Sequence, residues 1–131
     1  MLSPRVKSTS VGEVRVITPR GEFIGGDETD DLRNALAQEA DAELLLVDLA
    51  DVRYLNSTAL GVLIASHTTL AKKGGRMGLC NISKSIENLF VITKLVLVFN
   101  VYGTLEEGLE GIRNQEAPAA AVEKKSSESS N

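Results

Sequence analysis

Leu44-Leu45-Leu46-Val47-Asp48-Leu49, followed by Tyr54-Leu55-Asn56-Ser57-Thr58-Ala59-Leu60-Gly61, is the stretch on which the fold turns. Its first part is a short, almost unbroken apolar run, which suits a strand buried on both faces. Asn56, Ser57 and Thr58 then offer three candidate helix caps in a row, short polar side chains able to take up orphan N–H groups at a helix start. Helical spacing continues through Lys73, where Gly74-Gly75 stop it. A hydroxyl is thereby expected at a helix N-terminus, just after a central strand.

At about 100° per residue, that helix has two distinct sides. Leu60, Leu63, His67, Leu70 and Ala71 form a core stripe. Ser57, Gly61, Ala65, Thr68 and Lys72 form a second side, with Thr58 and Thr69 beside them. The second side has little bulk and no charge before Lys72. Spacing alone allows two uses for it: close approach by another protein, or packing against the chain's own neighbouring helix.

Asp51-Val52-Arg53-Tyr54-Leu55-Asn56-Ser57-Thr58-Ala59-Leu60-Gly61-Val62-Leu63 resembles the signature of the STAS domain, the fold of bacterial anti-sigma factor antagonists. That family typically reads Asp-Ser-Ser/Thr-Gly/Ala-Leu-Gly here, and its first serine, the phosphorylation site, falls on Ser57. Thr58 is the alternative acceptor. The likeness runs from about Val6 to Ile112. It implies an α/β fold with a mixed, mainly parallel sheet of four to five strands and about four helices, largely on one side.

The resemblance also implies a function. The unphosphorylated protein would bind an anti-sigma factor, itself a serine-protein kinase with a histidine-kinase-like ATP-binding fold, and so release a sigma factor. Phosphorylation of Ser57 would end the association, and a metal-dependent serine phosphatase would restore it. ATP and magnesium would belong to the kinase, so no cofactor is expected in this chain. Partner contacts are expected at Asn56, Ser57, Thr58, Gly61, Ala65 and Thr68, and at Glu22 and Ile24 of the first loop.

Two positions depart from the family pattern. Asn56 stands where Asp is usual, and in Gly21-Glu22-Phe23-Ile24 the usual final Asp is Ile24. These departures motivate an alternative: a STAS interaction module that is not phosphorylated, in a stress-sensing scaffold or a lipid-transport complex.

Composition bounds the remaining classes. The 131 residues are 43% hydrophobic and 24% charged, enough for one domain with its own core. Aromatic content of 4% without Trp makes that core aliphatic and leaves few stacking platforms for single-stranded nucleic acid. A net charge of −4 with no long basic run disfavours nucleic acid and anionic membranes. The lone Cys80 excludes an intrachain disulfide and reads as a small buried hydrophobe. Met1 to Ser10 lacks the apolar centre of a secretory signal, and Leu95 to Phe99 is too short to span a bilayer. The expectation is a soluble cytoplasmic protein.

Catalysis is not expected. The only histidine, His67, lies about 15 Å along the same helix from Ser57, and no Gly-x-Ser-x-Gly elbow surrounds the serine. Cys80 and His67 alone do not make a zinc site. Asp27, Asp30 and Asp31 read as N-terminal helix charges favoured by the dipole, with no EF-hand spacing.

In chain order, Val6 to Val11 reads as an edge strand, with Gly12-Glu13 as the hairpin turn. Val14, Val16 and Ile17 form a strand ending at Pro19, and Arg20 to Gly26 a loop without a phosphate-binding pattern. Asp27 would cap a helix with Leu32, Ala35 and Leu36 inward. Arg76 to Ile82 is a strand, Ser83 caps a helix over 84–92, and Leu95 to Phe99 is a last strand. Thr104 and Glu107 form a capping box for a final helix with Leu105, Leu109 and Ile112 inward, weakened by Gly108 and Gly111. Residues 1–113 form the domain. Residues 114–131, rich in Ala, Glu, Lys and Ser, are expected to be a disordered tail.

Overall fold

The protein's structure is a computed structural model and describes residues 5–114. β1 (Val6–Val11) and β2 (Val14–Phe23) form an antiparallel hairpin, closed where Val11 faces Val14. Gly12 turns it at φ +61°, a conformation most side chains avoid. β3 (Leu44–Asp48), β4 (Asp51–Leu55), β5 (Arg76–Cys80) and β6 (Asn100–Tyr102) complete a six-stranded mixed sheet. Its main path is β1-β2-β3-β5-β6, with β4 parallel to the distal part of β2. The helices are α1 (Gly26–Ala37), α2 (Ser57–Lys72), α3 (Lys84–Ile92) and α4 (Leu105–Asn114).

The sheet therefore has one strand more than the four to five expected, and β4 accounts for it. β2 is also longer than expected, because the chain stays extended through Pro19 to Phe23. Pro19 lies where β2 changes partners. Ile17 is the last residue paired with β3, and Arg20 the first paired with β4. Arg20 donates its backbone N–H to Arg5 on the β1 side. Proline's missing donor thus falls in the gap between two ladders, where nothing asks for it. A bulge follows between Gly21 and Glu22, with Gly21 at φ +106°.

β3 is buried on both faces, and its alternating side chains serve two cores. Leu45 and Val47 join Leu32 and Leu36 of α1, Leu60, Leu63 and Leu70 of α2, and Ile86 and Phe90 of α3. Leu44 and Leu46 join Val14, Val16, Cys80 and Ile112 of α4. Each such aliphatic side chain contributes ~1.5–3 kcal/mol on burial. Three helices thus cover one face and α4 alone covers the other. Gly108 and Gly111 have a packing use there: an added Cβ would lie 3.0 Å from Leu46 at Gly108 and 2.3 Å from Tyr102 at Gly111. The helix approaches the sheet so closely because those two positions carry no side chain.

Three further expectations are corrected. Leu95–Leu97 is a 3-10 turn, and the last strand is the following Asn100–Tyr102. Lys94 at φ +65° breaks the chain direction, and a five-residue apolar run cannot by itself distinguish strand from buried turn. α1 is capped by the backbone of Gly25 and not by Asp27, which lies in the first turn with Glu28. In the α4 cap, Thr104 Oγ1 accepts from Glu107 N–H at 3.0 Å, but Glu107 returns to Gly103 N–H at 3.1 Å, one residue before the cap. The expected tail beyond Asn114 lies outside the described residues.

Candidate functional site

β4 ends at Leu55, and the chain enters α2 through Asn56. Of the three candidate caps, Asn56 is the one used. It has extended backbone angles, and its Oδ1 accepts from Ala59 N–H at 2.8 Å. Its Nδ2 donates to the carbonyl of Ile24 at 3.2 Å, and its backbone N–H donates to Phe23 at 3.0 Å. One residue thus joins the end of β2, the loop into α1 and the head of α2.

Ser57 and Thr58 are consequently relieved of capping. Both are exposed, and neither hydroxyl makes a hydrogen bond within the described residues. Gly61, Ala65, Thr68 and Lys72 continue along α2 as an exposed strip. The opposite side is buried through Ala59, Leu60, Val62, Leu63 and Leu70. Ala71, expected in the core stripe, is exposed, whereas its neighbour Leu70 is buried. The small-residue side also meets α1 along one margin. Ala65, Ser66 and Thr69 face Leu36, Ala37 and Ala40 across a groove of about 290 Å³. Packing beside the chain's own neighbouring helix, one of the two uses that spacing allowed, is therefore present along this margin, while Gly61, Ala65 and Thr68 stay exposed.

Ile24 lies beside this helix head, whereas Glu22, expected in the first loop, belongs to β2 and pairs in register with Tyr54 of β4, because the chain stays extended past Pro19. Ile24 is 55% exposed and shares a cleft of about 240 Å³ with Gly25, Thr29, Asp30, Arg33, Asn56 and Thr58. Two exposed ion pairs lie near the site, while Asp27 and Glu28 in the first turn of α1 form none. Arg53 Nε lies 3.6 Å from Glu22 Oε2, and Arg33 Nη1 lies 2.6 Å from Asp30 Oδ1. Sequence reasoning missed Thr29, whose hydroxyl is buried without a partner. It also missed the exposure of Tyr54 (51%) and Ile92 (77%), which border an apolar groove between β4 and α3. Ile92 does stand off the α3 stripe of Ile86, Leu89 and Phe90, and that is the signal that could have found it.

The remaining reactive groups lie elsewhere. His67 sits on α2 with its ring edge-on to Phe99, centroids 5.3 Å apart, and burial pulls its pKa below the usual histidine value. Cys80 lies in the α4-side core, where burial, reinforced by the carboxylates of Asp48 and Glu106, pushes the thiol up to about 12. It is a poor nucleophile in that state. Among the described residues, no group of three or more His, Cys, Asp or Glu could hold a metal ion, and no helix is long and apolar enough to cross a membrane.

The STAS domain model matches residues 5–108. The anti-sigma-B factor antagonist of Bacillus subtilis (strain 168) is 35% identical over 66 residues, 50% of this chain and 61% of that protein. The chain thus spans about three fifths of the length of the curated relatives it matches. An anti-sigma factor antagonist from Mycobacterium paratuberculosis superposes with a TM-score of 0.74 at 24% identity, over 87% of this chain and 100% of the other. The Bacillus cell fate determinant SpoIIAA, in its phosphorylated form, gives a TM-score of 0.65 at 18% identity, over 82% and 99%. These structural likenesses are likenesses of fold.

Proposed function

The chain belongs to the STAS domain family, and on that footing we propose that it is an anti-sigma factor antagonist switched by phosphorylation at Ser57. The unmodified protein binds an anti-sigma factor that is also a serine kinase, and so releases a sigma factor. A serine phosphatase resets the switch. The chain acts as a binding surface and a kinase substrate, not as an enzyme.

One observation carries this reading: Ser57 opens α2 with an exposed hydroxyl that the fold does not use, because Asn56 holds the cap. A phosphate there carries about −1.5 to −2 charges at pH 7. It would sit beside the free N–H groups of the first helical turn, which favour an anion. The fold therefore tolerates the modification. Arg33 and Arg53 are already matched by Asp30 and Glu22, so the cost falls on a partner that must cover the phosphate. A penalty of ~3 kcal/mol already exceeds a hundredfold in affinity. The exposed strip of Gly61, Ala65 and Thr68 supports the same reading, because it lets a partner's backbone approach closely.

The test is intact-protein mass after incubation with ATP, magnesium and the histidine-kinase-like protein encoded nearest to this chain. One added phosphate on the wild type and none on Ser57→Ala is the expected result. Transfer that persists in Ser57→Ala and vanishes in Thr58→Ala would move the acceptor to Thr58. Binding without transfer to either residue would instead identify the non-phosphorylated interaction module.

A further inference from the structure

Four of the seven large apolar residues exposed among the described residues lie on α3 and its immediate neighbours. Val91 (57%) and Ile92 (77%) end α3, and Leu97 (56%) belongs to the 3-10 turn just after it. Tyr54 (51%) faces α3 from β4, across a groove of about 360 Å³ that Leu55, Ile86 and Leu89 also line. Together the four expose on the order of 500 Å², the upper part of the range for the largest apolar patch on a monomer.

The charged and apolar residues of α3 share one centre. Glu87 and Lys94 are seven positions, about two turns, apart and lie on one flank. Thr93 keeps helical backbone angles, so the helix still places Lys94, whose own φ of +65° then ends it. Leu89 and Ile92 are three positions apart and lie on the other flank, beside the groove. Both pairs have the same midpoint, between Phe90 and Val91. A two-fold axis there, crossing the outer side of α3, sets Glu87 against Lys94 of a second copy. It also sets Ile92 against Leu89 of the second copy, at the mouth of that groove, with Val91 near the axis. The charges are free for such a contact. Lys94 makes no ion pair among the described residues, and Glu87 reaches only Lys84, at 3.8 Å with both side chains exposed.

We propose that this face joins two copies of the chain, α3 packed antiparallel on α3 about a two-fold axis near Val91. A contact of this symmetry needs a surface complementary to itself. The projecting Ile92 beside an apolar groove meets that need, and so do opposite charges placed evenly about the axis. The antiparallel arrangement also brings opposite ends of the two helix dipoles together. A specific interface covers about 800 Å² on each partner. The apolar patch supplies its centre, and the exposed Ser85, Asn88, Glu87 and Lys94 supply a polar rim. None of these residues belongs to the exposed strip on α2, so the inference does not rest on phosphorylation of Ser57.

The experiment is sedimentation equilibrium of the full chain from micromolar to submillimolar concentration. The mass is expected to rise from the 14.0 kDa of one chain toward twice that value. Ile92→Asp should dissociate at least about thirtyfold more readily. Its far-ultraviolet circular dichroism and thermal midpoint in dilute solution should match wild type, because the residue is exposed. Glu87→Lys and Lys94→Glu set like charges across the axis, and each should weaken association about threefold or more. An equimolar mixture of those two variants should associate better than either alone, since every Glu then meets a Lys. A wild type that stays monomeric throughout would overturn the inference, as would a dimer that Ile92→Asp leaves intact. A mixture that associates no better than its components would overturn the antiparallel arrangement and the inference with it.

Discussion

Two helix starts in this molecule carry a serine, and they use it in opposite ways. At α3, Ser83 is the cap itself, and its Oγ accepts from Ile86 N–H at 3.2 Å. At α2, Ser57 stands one residue inside the helix, and the cap is Asn56. The hydroxyl of Ser83 is committed to the fold, while that of Ser57 is not. Residue type is identical, so availability is decided by the neighbour on the N-terminal side. A serine at a helix start is informative only once the cap has been assigned.

The largest separation between the two should appear in binding. Ser57→Asp is expected to weaken the complex with the anti-sigma factor by more than about a hundredfold, or ~3 kcal/mol, with little change in thermal unfolding. Ser83→Asp retains a capping acceptor and should bind like wild type. Equal losses for the two variants, measured by calorimetry, would erase the contrast. Stability should show the reverse ranking. Asn56→Ala removes the cap and the bond to Ile24 and should cost ~1–2 kcal/mol. Ser83→Ala should cost ~1 kcal/mol, whereas Ser57→Ala should remain within ~0.5 kcal/mol of wild type. In a domain of this size, ~1 kcal/mol moves the thermal midpoint by roughly 4–8 °C, well within reach of a melting curve.

Much of this was legible in the sequence, and the failures have physical causes. Strand β3, helix α2 with its glycine stop, and the Ser83 cap follow from apolar run length, helical period and cap chemistry. The helix head with Ser57 was legible as a place. Which of Asn56, Ser57 and Thr58 caps it was not, because all three side chains can accept and only backbone angles choose among them. β4 escaped because its pairing is with the distal part of β2, beyond a proline that read as a terminus. Proline costs nothing where the strand changes partners, and that handover is a property of the sheet, not of the local sequence. The last strand was misplaced because Leu95 to Phe99 is buried at Leu95 and Phe99 but bent by Lys94. Gly108 and Gly111 were read as helix weaknesses, since the side chains of Leu46 and Tyr102 that need their space lie far away in sequence.

The smallest expected effect contrasts the two ends of α2. Its head carries no ionisable side chain, while His67, further along, is half-buried against Phe99 with Nδ1 unpartnered. Burial holds the folded pKa of His67 below its ordinary 6.5. The unfolded chain therefore takes up the proton first. Stability is complete above pH 6.5 and is lost as pH falls from 6.5 through the lower folded value. Glu39 also loses stability on acidification, but in a different window. Hydrogen bonds from Arg15, at 2.9 Å from each of two nitrogens, hold its carboxyl below the ordinary 4.5. Its contribution is intact above 4.5 and disappears only as pH falls through the folded value. Between pH 6.5 and 5 the histidine is thus read almost alone. Urea unfolding across that interval should show a fall in wild-type stability that His67→Phe lacks. A slope that persists unchanged in His67→Phe would show that another group takes up the proton. Over the same interval Ser57→Ala should follow the wild-type curve, because the helix head has nothing to titrate.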